Sequence, residues 1–222
     1  MEAFILAAGL GSRLRPITNS RPKALVDIDG RSLLEINIEH LIKAGASRIV
    51  VNVHHFSQQI KDFISSKSWD SEIYISDESE LLLDTGGGLK KAAPLFSGKE
   101  PILIHNVDIL SHIDLRALLS HHIENKHLAT LAASARTTSR YLLFDRADRL
   151  IGWENTKTGE IVQGTWKWND GKDKYSFYPH EILDAKTSFK VNVVVGFRQY
   201  KGGAWETVYT SGQVSQEKRE VA

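Results

Sequence analysis

Phe4-Ile5-Leu6-Ala7-Ala8 runs directly into Gly9-Leu10-Gly11-Ser12-Arg13-Leu14-Arg15-Pro16, and Arg21-Pro22-Lys23-Ala24-Leu25 follows. Five apolar residues ended by glycine predict a short strand buried on both faces, as a parallel sheet requires. The Gly-, Pro- and Arg-rich stretch over 9–31 predicts a long loop, and loops of that length inside compact domains usually carry function. Glycines let backbone N–H groups approach an anion, and Arg and Lys neutralise it. The first 25 residues therefore read as a place for phosphates at a strand end.

Working outward, the chain alternates strand and helix patterns. Apolar residues at helical spacing predict a helix over 32–44, with Gly45 as its stop. Strands are predicted at 48–53, 72–76, 101–105 and 128–135, with short helices at 57–64, from Thr85 to Ala93, and after Asp114 to Asn125. This alternation predicts βαβ units and an α/β, Rossmann-like three-layer αβα fold around a mostly parallel mixed sheet. Beyond about residue 136 the pattern changes. Tyr141–Phe144 and Arg149–Trp153 read as paired strands around an Asp-Arg-Ala-Asp turn. Residues 155–175 read as a polar loop, Val191–Phe197 as one more strand, and 211–222 as a frayed tail. The division expected is a nucleotide-binding core over 1–155 and a diverged segment of the same domain over 156–222.

Composition narrows the function classes. Of 222 residues, 41% are hydrophobic and 25% charged, ordinary for a globular chain, and the net charge is only +1. A nucleic-acid or membrane-surface binder would carry a strong basic excess. The chain has no cysteine, which removes disulfides, thiol nucleophiles and Cys-based metal sites. No run reaches the roughly 18 apolar residues of a spanning helix, and none resembles a signal peptide. A cytoplasmic protein is the expectation.

Ligands of a doubly wound sheet sit at the carboxyl ends of its strands. Three polar clusters fall at such ends: the 9–23 loop, the Asp84–Gly88 turn, and Asn106-Val107-Asp108. The loop is neither a G-x-x-x-x-G-K-[ST] phosphate loop nor a G-x-G-x-x-G dinucleotide loop. Arg13 and Lys23 also read as solvated loop charges, Asp108 as a turn residue, Thr85–Gly88 as a bare helix entry, and Glu78 and Glu80 as surface charges. His121 and His122 read as lying on an exposed helix, and Trp166 and Trp168 as strand or dimer packing.

Leu6-Ala-Ala-Gly-Leu-Gly-Ser-Arg-Leu-Arg-Pro-Ile-Thr18, followed by Arg-Pro-Lys-Ala-Leu25, resembles the signature of the sugar-1-phosphate nucleotidylyltransferases. Val50-Val-Asn-Val-His-His55, Leu83-Asp-Thr-Gly-Gly-Gly-Leu89 and Ile104-His-Asn-Val-Asp-Ile109 match the same pattern in order, over roughly residues 1–155. The chain looks most like short bacterial members that act on N-acetylmuramic acid, mannose or heptose 1-phosphates. The resemblance implies transfer of a nucleotidyl group from an NTP (UTP or GTP) to a sugar 1-phosphate, giving an NDP-sugar and pyrophosphate, with Mg²⁺ as cofactor. Such a product would feed cell-envelope polysaccharide synthesis. It implies Arg13 and the 9–12 backbone on the leaving pyrophosphate, and Lys23 on the α-phosphate and the sugar phosphate. It implies Asp108 on the metal, and Ala8, Gly9, Gly11, Ser12, Thr85 and Gly86 around the nucleotide, with Glu78 or Glu80 at the base edge. Asn155 and Glu154 are its candidates for the sugar hydroxyls, and a homodimer is among the assemblies expected.

The family's late metal-binding W-x-D segment has only Gly203-Ala-Trp-Glu206 as counterpart, and its F-S-G-I-H segment only Tyr175–Leu183. A nucleotide-binding module with weak or no catalysis is therefore the alternative. A glycosyltransferase ranks below both, because Asn106-Val-Asp108 lacks the first carboxylate of a D-x-D pair.

Overall fold

The computed structural model describes residues 1–125, 129–132, 138–144 and 150–162, and the backbone of the strands over 163–169, 174–179, 188–189, 198–201 and 204–207. Its first half is built on four parallel strands: β1 (Glu2–Leu6), β4 (Arg48–Val53), β5 (Glu72–Asp77) and β6 (Ile102–Asn106), in the order β5-β4-β1-β6. Between β1 and β4 lie a two-stranded hairpin, β2 (Asp27–Ile28) and β3 (Arg31–Ser32), and helix α1 (Leu33–Lys43). Helix α2 (Ser57–Ser65) joins β4 to β5, α3 (Asp84–Ala92) joins β5 to β6, and α4 (Leu115–Glu124) follows β6.

The apolar run of β1 splits between the two faces with the strand's period of two. Ala3, Ile5 and Ala7 pack with Leu34, Ile38 and Leu41 of α1, Ile60 and Ile64 of α2, and Leu115 of α4. Phe4 packs on the other side with Leu89 and Ala92 of α3 and with Phe96. Strand β4 divides the same way, Ile49, Val51 and Val53 against Val50. Helices thus cover both faces, as the αβα expectation requires. Fully buried side chains such as Ile38 and Leu41 contribute about 1.5–3 kcal/mol each.

Local signals end the helices where expected. Ser32 caps α1 by accepting from the Glu35 N–H at 3.1 Å. At its far end Gly45, at φ 96°, donates to Ile42 O, and Ala46 donates to Leu41 O. Those two bonds make a Schellman stop that only a residue at ease with positive φ closes cheaply. Asp114 caps α4 through the N–H groups of Arg116 and Ala117, both at 3.0 Å.

The later strands form separate antiparallel sheets. One has the order β10-β9-β8-β7-β11, from β7 (Arg140–Phe144), β8 (Leu150–Asn155), β9 (Glu160–Asn169), β10 (Lys174–Pro179) and β11 (Ser188–Phe189). The other pairs β12 (Arg198–Lys201) with β13 (Ala204–Thr207). The polar loop expected over 155–175 is thus corrected: most of it is β9 and the start of β10. Strands of an antiparallel sheet tolerate a polar face, so polarity alone misread this stretch. The four-stranded central sheet is parallel throughout, as the mostly parallel αβα expectation has it. The antiparallel sheet of β7 to β11 runs across residue 155. Of the strand expected at 128–135, residues 129–132 are described, and only Leu131 makes a bridge. The Asp145–Asp148 turn, the 191–197 strand and the 211–222 tail lie outside the described residues. Among those described, no helix is long and apolar enough to cross a membrane.

Candidate functional site

Strand order places the site before any side chain does. The connections from β1 run outward to β4 and β5, and the chain then returns to lay β6 on the other side of β1. The switch point between β1 and β6 opens a crevice at their carboxyl ends. The 9–25 loop leaves one of those ends and Asp108 follows the other.

Short internal bonds wind the loop into three 3₁₀ turns. Gly11 sits at φ 64°, and a Cβ there would lie 3.0 Å from Thr18 Cγ2 and 3.1 Å from Lys23 Cβ. Both the left-handed backbone and the close approach require glycine. The buried Thr18 donates its hydroxyl to Gly11 O at 2.8 Å, and Leu14 N donates to the same carbonyl at 2.9 Å. Leu25 N donates to Pro22 O, Val26 N to Lys23 O, and Leu33 N to Val26 O, which carries the chain into α1.

This winding delivers the Lys23 ammonium onto the Asp108 carboxylate in an ion pair across the crevice. The two side chains are 17% and 37% exposed, so the pair faces the opening without being freely solvated. Asp108 is held from behind. Val107 N donates to Leu6 O at 3.3 Å, and Ile109 N donates to Asn106 O at 3.1 Å. Asn37 Nδ2 donates to Val107 O at 2.8 Å. Arg13, Arg15 and Arg21 are exposed, and among the described residues none pairs with a carboxylate. Of the two loop charges, Lys23 is therefore not simply solvated, and Arg13 stays available to an anion.

The second wall comes from β4, β5 and α3. Asn52 Oδ1 accepts from the N–H groups of Ala7 at 2.7 Å and Ala8 at 3.2 Å. Asn52 Nδ2 donates to Glu78 Oε1 at 2.8 Å, and Leu83 N donates to Glu78 Oε2 at 3.1 Å. Glu78 is 0% exposed. That corrects its reading as a surface charge, and it also takes the carboxylate away from the base edge: both oxygens are spent inside the fold. Glu80 is exposed. Thr85 and Gly86 open α3 at the rim, and a Cβ on Gly86 would meet nothing within 4 Å.

Asn155 and Glu154 end β8, opposite Arg140 and Tyr141. Asn155 closes the next turn, its carbonyl accepting from Thr158 and Gly159 and its Oδ1 from Lys157. Among the described residues, no hydrogen bond brings either residue to the crevice. His122 is buried and within 3.1 Å of Thr130 Oγ1, so the exposed-helix reading fails for it. Burial pushes the buried His105 down to about 4, with His40 adding to the shift, so it is neutral at pH 7. Asn52 and Asn37 are the residues the sequence reading missed. The available signal was a lone amide inside each apolar run, Val50-Val-Asn-Val53 and Leu33–Leu41, since a buried polar group is the informative exception.

A divalent ion would find one carboxylate here. Among the described residues, no group of three or more His, Asp and Glu side chains could hold a metal. Mg²⁺ is commonly held by one or two carboxylates with phosphate oxygens and water completing its octahedron. The half-exposed Asp108 beside a cationic loop fits an ion that arrives with a nucleotide.

The family described as nucleotidyl transferase matches residues 2–141. N-acetylmuramate alpha-1-phosphate uridylyltransferase of Caulobacter vibrioides is 42% identical over 109 residues, 48% of this chain and 45% of that one. D-glycero-alpha-D-manno-heptose 1-phosphate guanylyltransferase of Aneurinibacillus thermoaerophilus is 34% identical over 195 residues, 86% of this chain and 82% of that one. The match spans about half the length of the uridylyltransferase relatives, 45% and 51% of them. Among solved structures, HddC from Yersinia pseudotuberculosis complexed with GMP-PN shares the fold, with a TM-score of 0.60 at 23% identity over 68% of each chain.

Proposed function

This chain belongs to the nucleotidyl transferase family, and we propose that it transfers a nucleotidyl group from an NTP to a sugar 1-phosphate. The observation that carries the reading is the Lys23–Asp108 pair at the β1/β6 switch point, with unpaired Arg13 on the same loop. A cation that meets phosphate oxygens and a carboxylate that meets a hard metal are the two groups this substitution needs, and here they are already adjacent.

The chemistry is a substitution at phosphorus. An oxygen of the sugar phosphate forms a bond to the α-phosphorus, the bond from that phosphorus to the bridging α–β oxygen breaks, and pyrophosphate leaves. Little covalent work falls to the protein, whose task is alignment and charge neutralisation. Arg13 and the N–H groups of Gly9 to Ser12 hold the leaving pyrophosphate. Lys23 spans the α-phosphate and the incoming phosphate, offsetting the repulsion of two anions. Asp108 would hold Mg²⁺, which when bound would supply Lewis-acid neutralisation of the phosphate oxygens. Ala8, Thr85 and the open space over Gly86 frame the nucleoside. UTP and GTP are the donors proposed, because the relatives above are named for those two transfers. Asn155 and Glu154 stay the proposed sugar-side residues, and a cytoplasmic homodimer the proposed form.

The test is pyrophosphate release with Mg²⁺, UTP or GTP, and a panel of sugar 1-phosphates. Turnover that disappears in Asp108→Ala and Lys23→Ala supports the reading, and unchanged rates in both overturn it. A second reading is favoured by how little of the uridylyltransferases aligns: the chain binds nucleotide without turning it over. Calorimetric nucleotide binding with no pyrophosphate formed would select it.

A further inference from the structure

The buried pair Asn52–Glu78 links the Ala7-Ala8 end of the loop to the turn at Leu83 through a continuous chain of side-chain hydrogen bonds. On one side the Asn52 side-chain oxygen accepts from both Ala7 and Ala8, the last backbone donors before the loop opens. On the other side the second oxygen of Glu78 accepts from Leu83 N, two residues before Thr85. The contact between them is the 2.8 Å bond from Asn52 Nδ2 to Glu78 Oε1. The Glu78 backbone is pinned too: its N–H donates to Val53 O at 2.7 Å, and its carbonyl lies 2.7 Å from His54 Nδ1. Helix α3 comes close enough to seal the pair because Gly88 has no side chain. A Cβ there would lie 2.6 Å from Glu78 Oε1 and 3.0 Å from Asn52 Nδ2. The third glycine of the turn thus serves the buried pair, whereas Gly86 faces open space.

We propose that Asn52 and Glu78 are positioning residues that set the spacing between the Ala7-Ala8 end of the phosphate loop and the Leu83–Gly86 turn, and so tune nucleotide affinity without touching the nucleotide. The inference rests on the nucleotide reading above and adds to it a pair behind the rim. A carboxylate whose only tasks were solubility or surface charge would not be buried, and an apolar filler would serve the core better than two polar side chains. The polarity of the pair is what matters. Two N–H donors just past β1 demand an acceptor on β4, and the N–H of Leu83 demands an acceptor just past β5, so one amide and one carboxylate complete the chain of bonds.

That polarity can be reversed. In Glu78→Gln, an amide nitrogen faces either Asn52 Nδ2 or Leu83 N, and one donor meets a donor. In Asn52→Asp with Glu78→Gln, the aspartate accepts from Ala7, Ala8 and the glutamine amide, and the glutamine oxygen accepts from Leu83. Every bond is restored with the carboxylate moved across the pair.

The experiment measures UTP and GTP dissociation constants by calorimetry, thermal midpoints, and the KM of each substrate against kcat, for the wild-type chain and these two variants. The expected result is a roughly tenfold rise in the nucleotide dissociation constant and KM in Glu78→Gln. The KM for sugar phosphate stays unchanged, and the double variant returns to within about threefold of wild type. A merely structural role would lower the midpoint and leave the affinity of the folded protein alone, so that pattern overturns the proposal, as does a double variant that folds but shows no rescue. A wild-type chain that binds neither nucleotide overturns the nucleotide reading itself and the coupling with it. Wild-type binding with unaltered affinity in Glu78→Gln overturns the coupling alone.

Discussion

Asn37 Nδ2 donates to the carbonyl of Val107 at 2.8 Å, one residue before Asp108, and to Leu33 O at the same distance. One buried amide thus fastens helix α1 to the end of β6 where the candidate metal carboxylate emerges. Replacing it with leucine keeps the branched shape, adds bulk in a buried position, and leaves Val107 O without its side-chain donor. We expect Asn37→Leu to lose about 1–3 kcal/mol of stability in urea unfolding. Pyrophosphate formation should fall as well, because Asp108 loses its support.

Lys23 and Asp108 should fail together. Removing a group that neutralises charge in the transition state typically costs about a hundredfold to a thousandfold in kcat. We expect losses of that order in Lys23→Ala and Asp108→Ala. The double variant should be far less than multiplicatively worse, as for residues that act as a unit. Initial rates of pyrophosphate release measure all three.

Gly86 and Gly88 should part company. Gly88→Ala drives a methyl to 2.6 Å from a carboxylate oxygen that is itself tied down, and we expect a stability loss of about 1–3 kcal/mol. Gly86→Ala meets nothing within 4 Å, so its thermal midpoint should hold or rise slightly. Nucleotide affinity should nonetheless drop in Gly86→Ala, because the methyl enters the space proposed for the nucleoside.

His105 makes stability depend on pH. Burial, with His40 nearby, holds it at about 4, against 6.5 for the free side chain. Between those values the unfolded chain binds the proton and the folded chain does not. Its contribution is therefore fully present above pH 6.5 and is lost as pH falls toward 4. The loss should reach about 3 kcal/mol at most. Unfolding at pH 7 and pH 4.5 should show the difference, and His105→Gln should reduce it.

The parts of this fold that were legible in the sequence are those where local rules and burial agree. Helix α1 carries its apolar stripe and its Gly45 stop in the sequence, and it folds within a residue of that reading. The loop over 9–25 was legible as a loop because glycine, proline and arginine cluster there. Glu78 was not: a carboxylate between Asp77 and Ser79 looks solvated, and only the fold brings Asn52, Leu83 and Gly88 around it. The strand over 160–169 was hidden for the opposite reason. Lys, Gln and Asn are as compatible with an antiparallel strand as with a loop, so its composition did not distinguish the two. The Lys23–Asp108 contact joins residues 85 positions apart (108 − 23), and no local pattern encodes such a meeting.

The placement of β1 between β4 and β6 has a consequence for synthesis. A chain made from its N-terminus produces the 9–25 loop before the rest of this sheet, and β1 can zip onto β4 once residue 53 has emerged. Its other edge stays bare until Ile102 to Asn106 arrive, a wait of about 50 residues, or several seconds at typical translation rates. During that interval the nascent protein exposes an apolar, unpaired strand edge, the kind that templates aggregation. The strand that covers this edge also delivers Asp108, so β1 gains its second partner and Lys23 its carboxylate in one event. On the proposed function, nucleotide would stabilise only chains that had completed that step.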